Sequence, residues 1–160
     1  MSRRVSIEPL TVEAFAPYGD VLDARGEADK IINAGQCGRY HDRATIDVSE
    51  QTGGRVGISI FHATLRALPY TLDLIERHPE GSQAFIPMSA DPFLVIVADA
   101  PDATPKAFVT NGAQGINFHR GTWHGVLTPL AGNGLFAVVD RIGETPNLEE
   151  HVFDAPWIIS

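Results

Sequence analysis

The sequence is short of cysteine and of long apolar runs, and each shortage excludes a class of protein. Its one cysteine, Cys37, can form neither an internal disulfide nor a thiolate zinc cluster, which favours the reducing cytoplasm. The longest apolar run, "PFLVIVADA", is too short to span a bilayer. The N-terminal "MSRRVSIEPL" has no apolar core behind its arginines, so we expect no signal peptide. We therefore predict a cytoplasmic protein.

Positive charge is scarce as well. With 20 acidic and 12 basic residues the net charge is -8, which argues against nucleic acid or an anionic membrane as the main partner. Lysine is rarest, since only Lys30 and Lys106 stand beside ten arginines. Arginine binds planar carboxylates through two parallel hydrogen bonds. The composition therefore allows a small anionic substrate, although genome bias is the commoner origin of such an arginine content.

The pattern along the chain is that of many short strands. The 160 residues suit one domain, 1–160, and 44% of them are hydrophobic, which is enough for a core. "RVGISIFHA" alternates like a half-exposed strand, and "PFLVIVADA" is typical of a strand buried on both sides. "TVEAFAPYG" predicts a short helix with Thr11 as its N-cap. We predict an all-β jelly-roll barrel with a few short helices.

One polar stretch, "ERHPEGSQAFIPM", carries Glu76, His78 and Gln83 directly after an apolar segment. Because side chains alternate along a strand, "YTLDLIERH" predicts Leu72, Leu74, Glu76 and His78 on one face. The turn "PEGS" would bring Gln83 back beside His78 in the same hairpin. One hairpin would then offer three donors to a metal ion. The ordinary alternative is a turn with solvated charges.

A second stretch, "NFHRGTWHGVL", places His119 and His124 on either side of Gly121. Gly121 is predicted to form the turn, and His124 is predicted to begin a strand. If these strands pair with the first hairpin inside a barrel, a histidine from this stretch can complete the site.

These two stretches resemble the two motifs of cupins, which are jelly-roll barrels. The first cupin motif is His-x-His, four residues, Glu, six residues, Gly, and the second is Pro-x-Gly-x-x-His. Both spacings are kept here, but several residue types differ from the cupin pattern. The matching positions of the first motif are Glu76, His78, Gln83 and Ala90, and those of the second are His119, Gly121 and His124.

Longer strings are similar to the ureidoglycolate lyase family. They are "FAPYGDVL", "INAGQCGRYHD", "ERHPEGSQAFIPM", "FVTNGAQGINFHRGTWHGVL" and "VVDR". The resemblance implies a cupin-like homodimer that acts in allantoin (purine) degradation, releasing urea from (S)-ureidoglycolate and leaving glyoxylate. It also implies a divalent metal, nickel in some members. Manganese, zinc or iron would suit the same mixed nitrogen and oxygen donors.

The resemblance suggests roles for single residues. His78, Gln83 and His124 would hold the metal, with Glu76 as a fourth ligand or as the catalytic base. His119 is the next catalytic candidate, because a histidine can move a proton near neutral pH. The alternative for His119 is a side chain that only caps a turn.

The string "INAGQCGRYHD" supplies candidates for substrate binding. Arg39 could clamp the carboxylate, and Asn33 or His41 could hydrogen-bond the urea end. Cys37 beside His41 is a rival nucleophile, although elimination of urea needs none. Arg77 and Trp123 alternate away from the metal-binding side chains, so we expect them in a salt bridge, the core or an interface.

Three other functions stay open at this stage. A ureidoglycolate amidohydrolase would attack the ureido carbonyl with water and release ammonia and carbon dioxide. A cupin of another class, such as an oxygenase, usually keeps more histidine ligands than the first motif has here. A metal-free barrel could instead bind a small acid as a sensor. The lyase is the leading prediction.

Overall fold

A computed structural model describes residues 3–160, and they form an almost entirely β-stranded structure. Within these residues the one α-helix, α1, spans Val12–Phe15, and a 3-10 turn spans Glu50–Thr52. The strands of the described residues are β1 Arg3–Val5, β2 Ile7–Pro9, β3 Gly19–Leu22, β4 Lys30–Ile32, β5 Cys37–Arg39, β6 Arg55–His62, β7 Tyr70–Arg77, β8 Gln83–Pro87, β9 Phe93–Ala98, β10 Lys106–Val109, β11 Gly115–Phe118, β12 Trp123–His124, β13 Thr128–Pro129, β14 Leu135–Ile142 and β15 Glu149–Ile159.

The strands form two large sheets and one small one. The eight-stranded sheet has the order β1-β15-β7-β12-β9-β10-β2, with β13 paired to β9, and the five-stranded sheet has the order β3-β11-β8-β14-β6. β4 and β5 form a separate two-stranded hairpin. The large sheets together make a nearly closed barrel, which confirms the predicted all-β, cupin-like fold.

The short helix begins where the sequence predicts it. The Thr11 hydroxyl accepts a hydrogen bond from the amide of Ala14 at 3.2 Å, as an N-cap should. Phe15, at the end of the helix, is fully buried in the core between the sheets. No helix in residues 3–160 has the length and apolar character that crossing a membrane requires.

Two cores lie on either side of the eight-stranded sheet, and β9 contributes to both. Phe93, Val95 and Val97 face the core between the sheets, together with Phe85 and Phe118. The alternate β9 side chains pack into a second core on the outer face of the same sheet, and they are Leu94, Ile96 and Ala98. The prediction that this strand is buried on both sides is confirmed.

The prediction that Leu72 shares a face with Glu76 on β7 is wrong. Leu72 and Ile75 both pack into the second core, so strict alternation fails between them. The pairing of β7 with β15 is irregular at the same place, since Val152 pairs with Leu74 and Trp157 pairs with Leu72. Past this irregularity Ile75 packs into the second core, while Glu76 lines the cavity on the other side.

The predicted hairpin of β7 and β8 is also wrong. β7 belongs to the eight-stranded sheet and β8 to the five-stranded sheet, so the turn after His78 crosses between them. Glu76 and Gln83 therefore approach one cavity from opposite walls of the barrel. Glu76 and Gln83 still come close to each other, but they do so across the interior of the barrel and not within one hairpin.

Candidate functional site

Three side chains that can bind a metal meet inside the barrel. Ligand atoms of Glu76, His78 and His124 all lie within 4.8 Å of one another. Glu76 on β7 is paired directly with His124 on β12, and His78 follows just after β7 ends. Sheet pairing therefore brings together residues that are 48 positions apart in the chain.

Backbone carbonyls fix the orientation of both imidazole rings. Nδ1 of His78 lies 2.8 Å from the carbonyl oxygen of Asn147, and Nδ1 of His124 lies 2.8 Å from that of Gly125. Because a carbonyl only accepts, each Nδ1 carries the hydrogen and donates it. The lone pair of each ring is then on Nε2. Both Nε2 atoms are buried and have no hydrogen-bond partner among the described residues.

His124 is held as a neutral imidazole. It is 1% exposed and its ring stacks on that of Phe118, with 4.2 Å between centroids and 7° between planes. Burial lowers the pKa of His124 to about 3, more than the bond to Gly125 raises it, and nearby His78 lowers it further. A neutral imidazole with a free Nε2 is the form that binds a metal.

Glu76 supplies the negative charge of the site. Burial raises the pKa of the Glu76 carboxyl, an effect that His78 opposes and Glu150 reinforces. Its Oε1 lies 4.0 Å from Nε2 of His78. A carboxylate with a raised pKa is a stronger base than one in water, and therefore a better proton acceptor.

Gln83 reaches the same space from β8. Its amide Nε2 donates to Oδ2 of Asp140 at 3.0 Å, while its Oε1 is buried and has no partner among residues 3–160. An open cavity of about 400 Å³ extends from Glu76 and Gln83. Its other lining residues are Phe61, Ala63, Thr64, Arg66, Phe85, Val126 and Leu127.

This set of donors fits a divalent metal. Two Nε2 lone pairs and one carboxylate oxygen converge, and the unpartnered Oε1 of Gln83 belongs to a side chain of the same cavity. Nitrogen and oxygen donors of this kind suit nickel, zinc or manganese. The bonds from Nδ1 to carbonyls match the outer partners that orient histidine ligands in metalloproteins.

Comparison with known proteins assigns the family. A family model described as ureidoglycolate lyase matches residues 2–160. The chain belongs to the ureidoglycolate lyase family. A protein of Rhodobacter capsulatus named ureidoglycolate lyase is 52% identical, with 98% of each chain covered. One of Mesorhizobium japonicum with the same name is 51% identical over 98% of this chain and 97% of its own. One of Pseudomonas syringae pv. tomato, also so named, is 46% identical, with 95% and 91% covered.

The family membership confirms the resemblance, and ureidoglycolate lyases are enzymes. The structure brings three of the predicted residues, Glu76, His78 and His124, into one cluster, and a fourth, Gln83, lines the cavity that begins at Glu76. The other four lie elsewhere. Their predicted roles stay predictions.

His119 faces a different cavity. Its Nε2 lies 3.5 Å from Oδ1 of Asp20, and it lines an open space of about 270 Å³ together with Tyr18, Asp99 and Trp123. The preceding residue, Phe118, is the one that stacks on His124. Alternation along this segment therefore turns His119 away from the cluster.

The three predicted substrate-binding residues lie on or beside the β4–β5 hairpin. Asn33 occupies its turn with a φ of 53°, Arg39 is exposed at the end of β5, and the amide of His41 donates to Asp29 at 2.9 Å. None of the three lines the cavity beside Glu76. Cys37, the rival nucleophile, is exposed on the same hairpin.

Arg77 and Trp123 lie away from the cluster, as predicted. Arg77 forms a salt bridge with Glu149 at 2.7 Å, and its guanidinium lies 4.9 Å from the centroid of the Trp123 ring. Trp123 packs against the second core. Both side chains help to join β7, β12 and β15 on the outer face of the sheet.

Two residues at the site had no signal in the sequence. Arg66 lines the cavity from the segment between β6 and β7, and Asn147 provides the carbonyl that orients His78. Neither stands in a motif. A backbone carbonyl can belong to any residue type, so only the folded chain reveals the role of Asn147.

Loss of either histidine should abolish most metal binding. We expect His78→Ala and His124→Ala to weaken Ni²⁺ binding to metal-stripped protein by more than the roughly 10–100-fold that loss of an outer partner costs. Isothermal titration calorimetry measures this, with Zn²⁺ and Mn²⁺ in parallel. His119→Ala is the matched control and should bind as the unchanged protein does. An equal loss of Ni²⁺ affinity in His119→Ala would contradict the assignment of His78 and His124 as the metal-binding histidines.

Proposed function

We propose that this chain is a ureidoglycolate lyase that eliminates urea from (S)-ureidoglycolate and leaves glyoxylate in allantoin degradation. The observation that carries the proposal is the pair of buried, unpartnered Nε2 atoms of His78 and His124 beside Glu76. Relatives that carry the name ureidoglycolate lyase, 46–52% identical over nearly the whole chain, supply the substrate.

The reaction needs one proton to move between two atoms on one carbon. That carbon bears a carboxylate, a hydroxyl and the ureido nitrogen. The hydroxyl loses its proton, its oxygen forms the carbonyl, and the carbon–nitrogen bond breaks with its electron pair going to nitrogen. The nitrogen then takes up a proton and urea leaves, so that no water is consumed. A base near the hydroxyl and an acid near the nitrogen are required.

Glu76 is the proposed base. Its carboxylate lies at the wall of the cavity, and burial raises its pKa toward the range in which proton acceptance is efficient. Because the hydroxyl and the nitrogen share one carbon, the protonated Glu76 can return the same proton to the leaving nitrogen. His119 remains a predicted second acid, although its nearest carboxylate is that of Asp20 in another cavity.

His78, His124 and Gln83 are the proposed ligands of a divalent ion. A bound ion would supply a Lewis acid that makes the substrate hydroxyl easier to deprotonate. An imidazole ligand brings no negative charge, so Glu76 would bring the only negative charge among the three clustered side chains. Nickel is proposed from the family resemblance, with manganese and zinc as alternatives.

Arg66 is proposed as the cation that binds the substrate carboxylate. Among the lining residues of the cavity it carries the one positive charge. No carboxylate of residues 3–160 lies within 4.0 Å of its guanidinium, which instead sits 5.8 Å from the Tyr70 ring centroid. Arg39 remains the rival from the sequence, and Asn33 and His41 the predicted partners of the urea end.

The exposed face of β6 is proposed as the contact with a second copy. Ile58 is 74% exposed and Ile60 58%, and Val56, Ile86 and Met88 extend the same apolar surface. β6 ends the five-stranded sheet, so its outer edge has no partner strand in the described chain. Pairing of two such faces would cover both the apolar surface and the edge.

The cytoplasmic location remains a prediction from composition.

Product analysis tests the function. We expect urea and glyoxylate in equal amounts from (S)-ureidoglycolate, and Glu76→Gln should lower kcat by about 10²–10⁴-fold because proton transfer loses its base. Enzymatic assays of urea, ammonia and glyoxylate measure this with and without added Ni²⁺. Ammonia without urea would indicate the amidohydrolase, and binding without turnover would indicate the small-acid sensor.

The two candidate arginines can be separated by their Michaelis constants. Arg66→Met should raise KM about 10–100-fold, since a hydrogen bond to a charged group contributes about 1.5–3 kcal/mol. Steady-state kinetics of Arg66→Met and Arg39→Met, measured side by side, decide between them. A rise in KM that is confined to Arg39→Met would instead assign binding of the substrate carboxylate to the β4–β5 hairpin.

A charge on β6 should break the homodimer. We expect Ile58→Asp to convert a dimer into a folded monomer, because burying an unpaired carboxylate in an apolar contact costs several kcal/mol. Analytical ultracentrifugation gives the mass and circular dichroism the fold. The matched control is Val152→Asp, an exposed apolar position on β15 of the other sheet. If only the Val152→Asp dimer dissociates, the dimer contact lies on β15 and not on β6.

A further inference from the structure

Arg141 is a buried cation without a carboxylate partner. It lies on β14 and is 6% exposed, yet no acidic oxygen in residues 3–160 is within 4.0 Å of its guanidinium. It donates instead to the hydroxyl of Thr52 at 3.1 Å, to the Thr145 carbonyl at 3.3 Å and to the Thr145 hydroxyl. Burial of a charge with only neutral acceptors is costly, so some gain elsewhere must offset it.

Thr52 and Thr145, which accept hydrogen bonds from Arg141, are both linked to the turn that contains His78. Two residues after Thr145, Asn147 accepts from His78 through its carbonyl at 2.8 Å and from the Glu80 amide through its Oδ1 at 2.7 Å. On the other side, the Thr52 hydroxyl donates to Oε2 of Glu80 at 3.0 Å. The guanidinium therefore joins two segments that each form hydrogen bonds with residues 78–80.

His124 is oriented by a separate device. Its Nδ1 donates to the carbonyl of Gly125, the next residue, on an element that Arg141 does not contact through hydrogen bonds. The two imidazoles of the site thus depend on different parts of the chain. A loss of order around Arg141 should therefore disturb the orientation of the His78 ring and leave that of the His124 ring unchanged.

We infer that Arg141 is a positioning residue, which holds residues 145–147 against His78 and so keeps the Nε2 lone pair of that ring in the cluster with Glu76 and His124. The inference builds on the proposed function, because this cluster is the one assigned to the metal ion and the catalytic base. Arg141 touches neither substrate nor reacting atoms in this scheme. Its effect passes through Thr145 and Asn147 to the tautomer of a single histidine.

The tautomer itself provides the test. In the imidazole ¹⁵N spectrum of the metal-free protein, both His78 and His124 should carry the hydrogen on Nδ1. Thr145→Val and Asn147→Ala should convert His78 to a mixture of the two tautomers and leave His124 unchanged. These variants avoid Arg141→Met, which leaves the hydrogen-bonding groups around a buried cation unpaired and is at risk of not folding.

A matched control separates positioning from stability. Asn133 accepts from the amide of Leu135 through its Oδ1 at 3.0 Å, the same kind of contact that Asn147 makes to Glu80, but on another loop. Asn133→Ala should lose comparable stability by urea denaturation without any change at His78. If His78 keeps its tautomer in Asn147→Ala and Thr145→Val, or if His124 changes equally, the inference is overturned.

Kinetics and metal binding give a second readout. Asn147→Ala should weaken Ni²⁺ binding about 10–100-fold, the usual cost of losing an outer partner, and should lower kcat with little change in KM. Arg141→Lys should show a smaller loss of Ni²⁺ affinity than Asn147→Ala, because lysine keeps the charge but cannot bond both threonines in the same geometry. The ¹⁵N experiment needs no substrate, so failure of the lyase assay in the unchanged protein would count against the proposed function alone.

Discussion

The pairing of Glu76 with His124 across β7 and β12 is the contact on which the site depends. It aligns a carboxylate and an imidazole from distant parts of the chain, and it leaves both at the inner surface of the eight-stranded sheet. His78 can join them only because the chain leaves β7 directly afterwards and crosses to the other sheet. If the strands slipped by one residue, each of these side chains would point to the opposite face.

The phase of β7 is set by packing on the outer face of its sheet. Leu72 and Ile75 both enter the second core, which is covered by the bulged β15 with Trp157 and Phe153. Ile75 is held in this core, and alternation along the strand then turns Glu76 inward. The second core therefore orients the inner cluster, even though none of its residues reaches the cavity beside Glu76.

The sequence predicted the parts of this arrangement that depend on local pattern. Alternation and apolar runs identified β6, β7 and β9, and the spacing of two motifs identified Glu76, His78, Gln83 and His124. It could not predict the bulge, because four residues of β15 opposite one of β7 leave no mark in the alternation of either strand. The sequence also could not show that β7 and β8 separate into different sheets. A four-residue turn is compatible with a hairpin or with a crossing between walls.

The residues beyond the motifs could not be predicted for a different reason. Arg39 stands in a string that the sequence analysis singled out and Arg66 does not, and only the fold shows that Arg39 lies on a separate hairpin while Arg66 lines the cavity. Asn147 acts through its backbone, which carries no information about residue type. His119 is close to His124 in the chain, but it follows Phe118, whose ring stacks on His124, and the His119 side chain faces a different cavity.

The cluster also carries a cost that its function explains. Nε2 of His78, Nε2 of His124 and Oε1 of Gln83 are buried without partners in the described chain, and each such atom costs about 1–3 kcal/mol. Side chains free to move would turn these atoms toward water or toward one another. The carbonyls of Asn147 and Gly125 and the stacking of Phe118 prevent this. A ligand that supplies partners to these atoms recovers the cost, so the rigidity of the barrel is what keeps the site ready to bind.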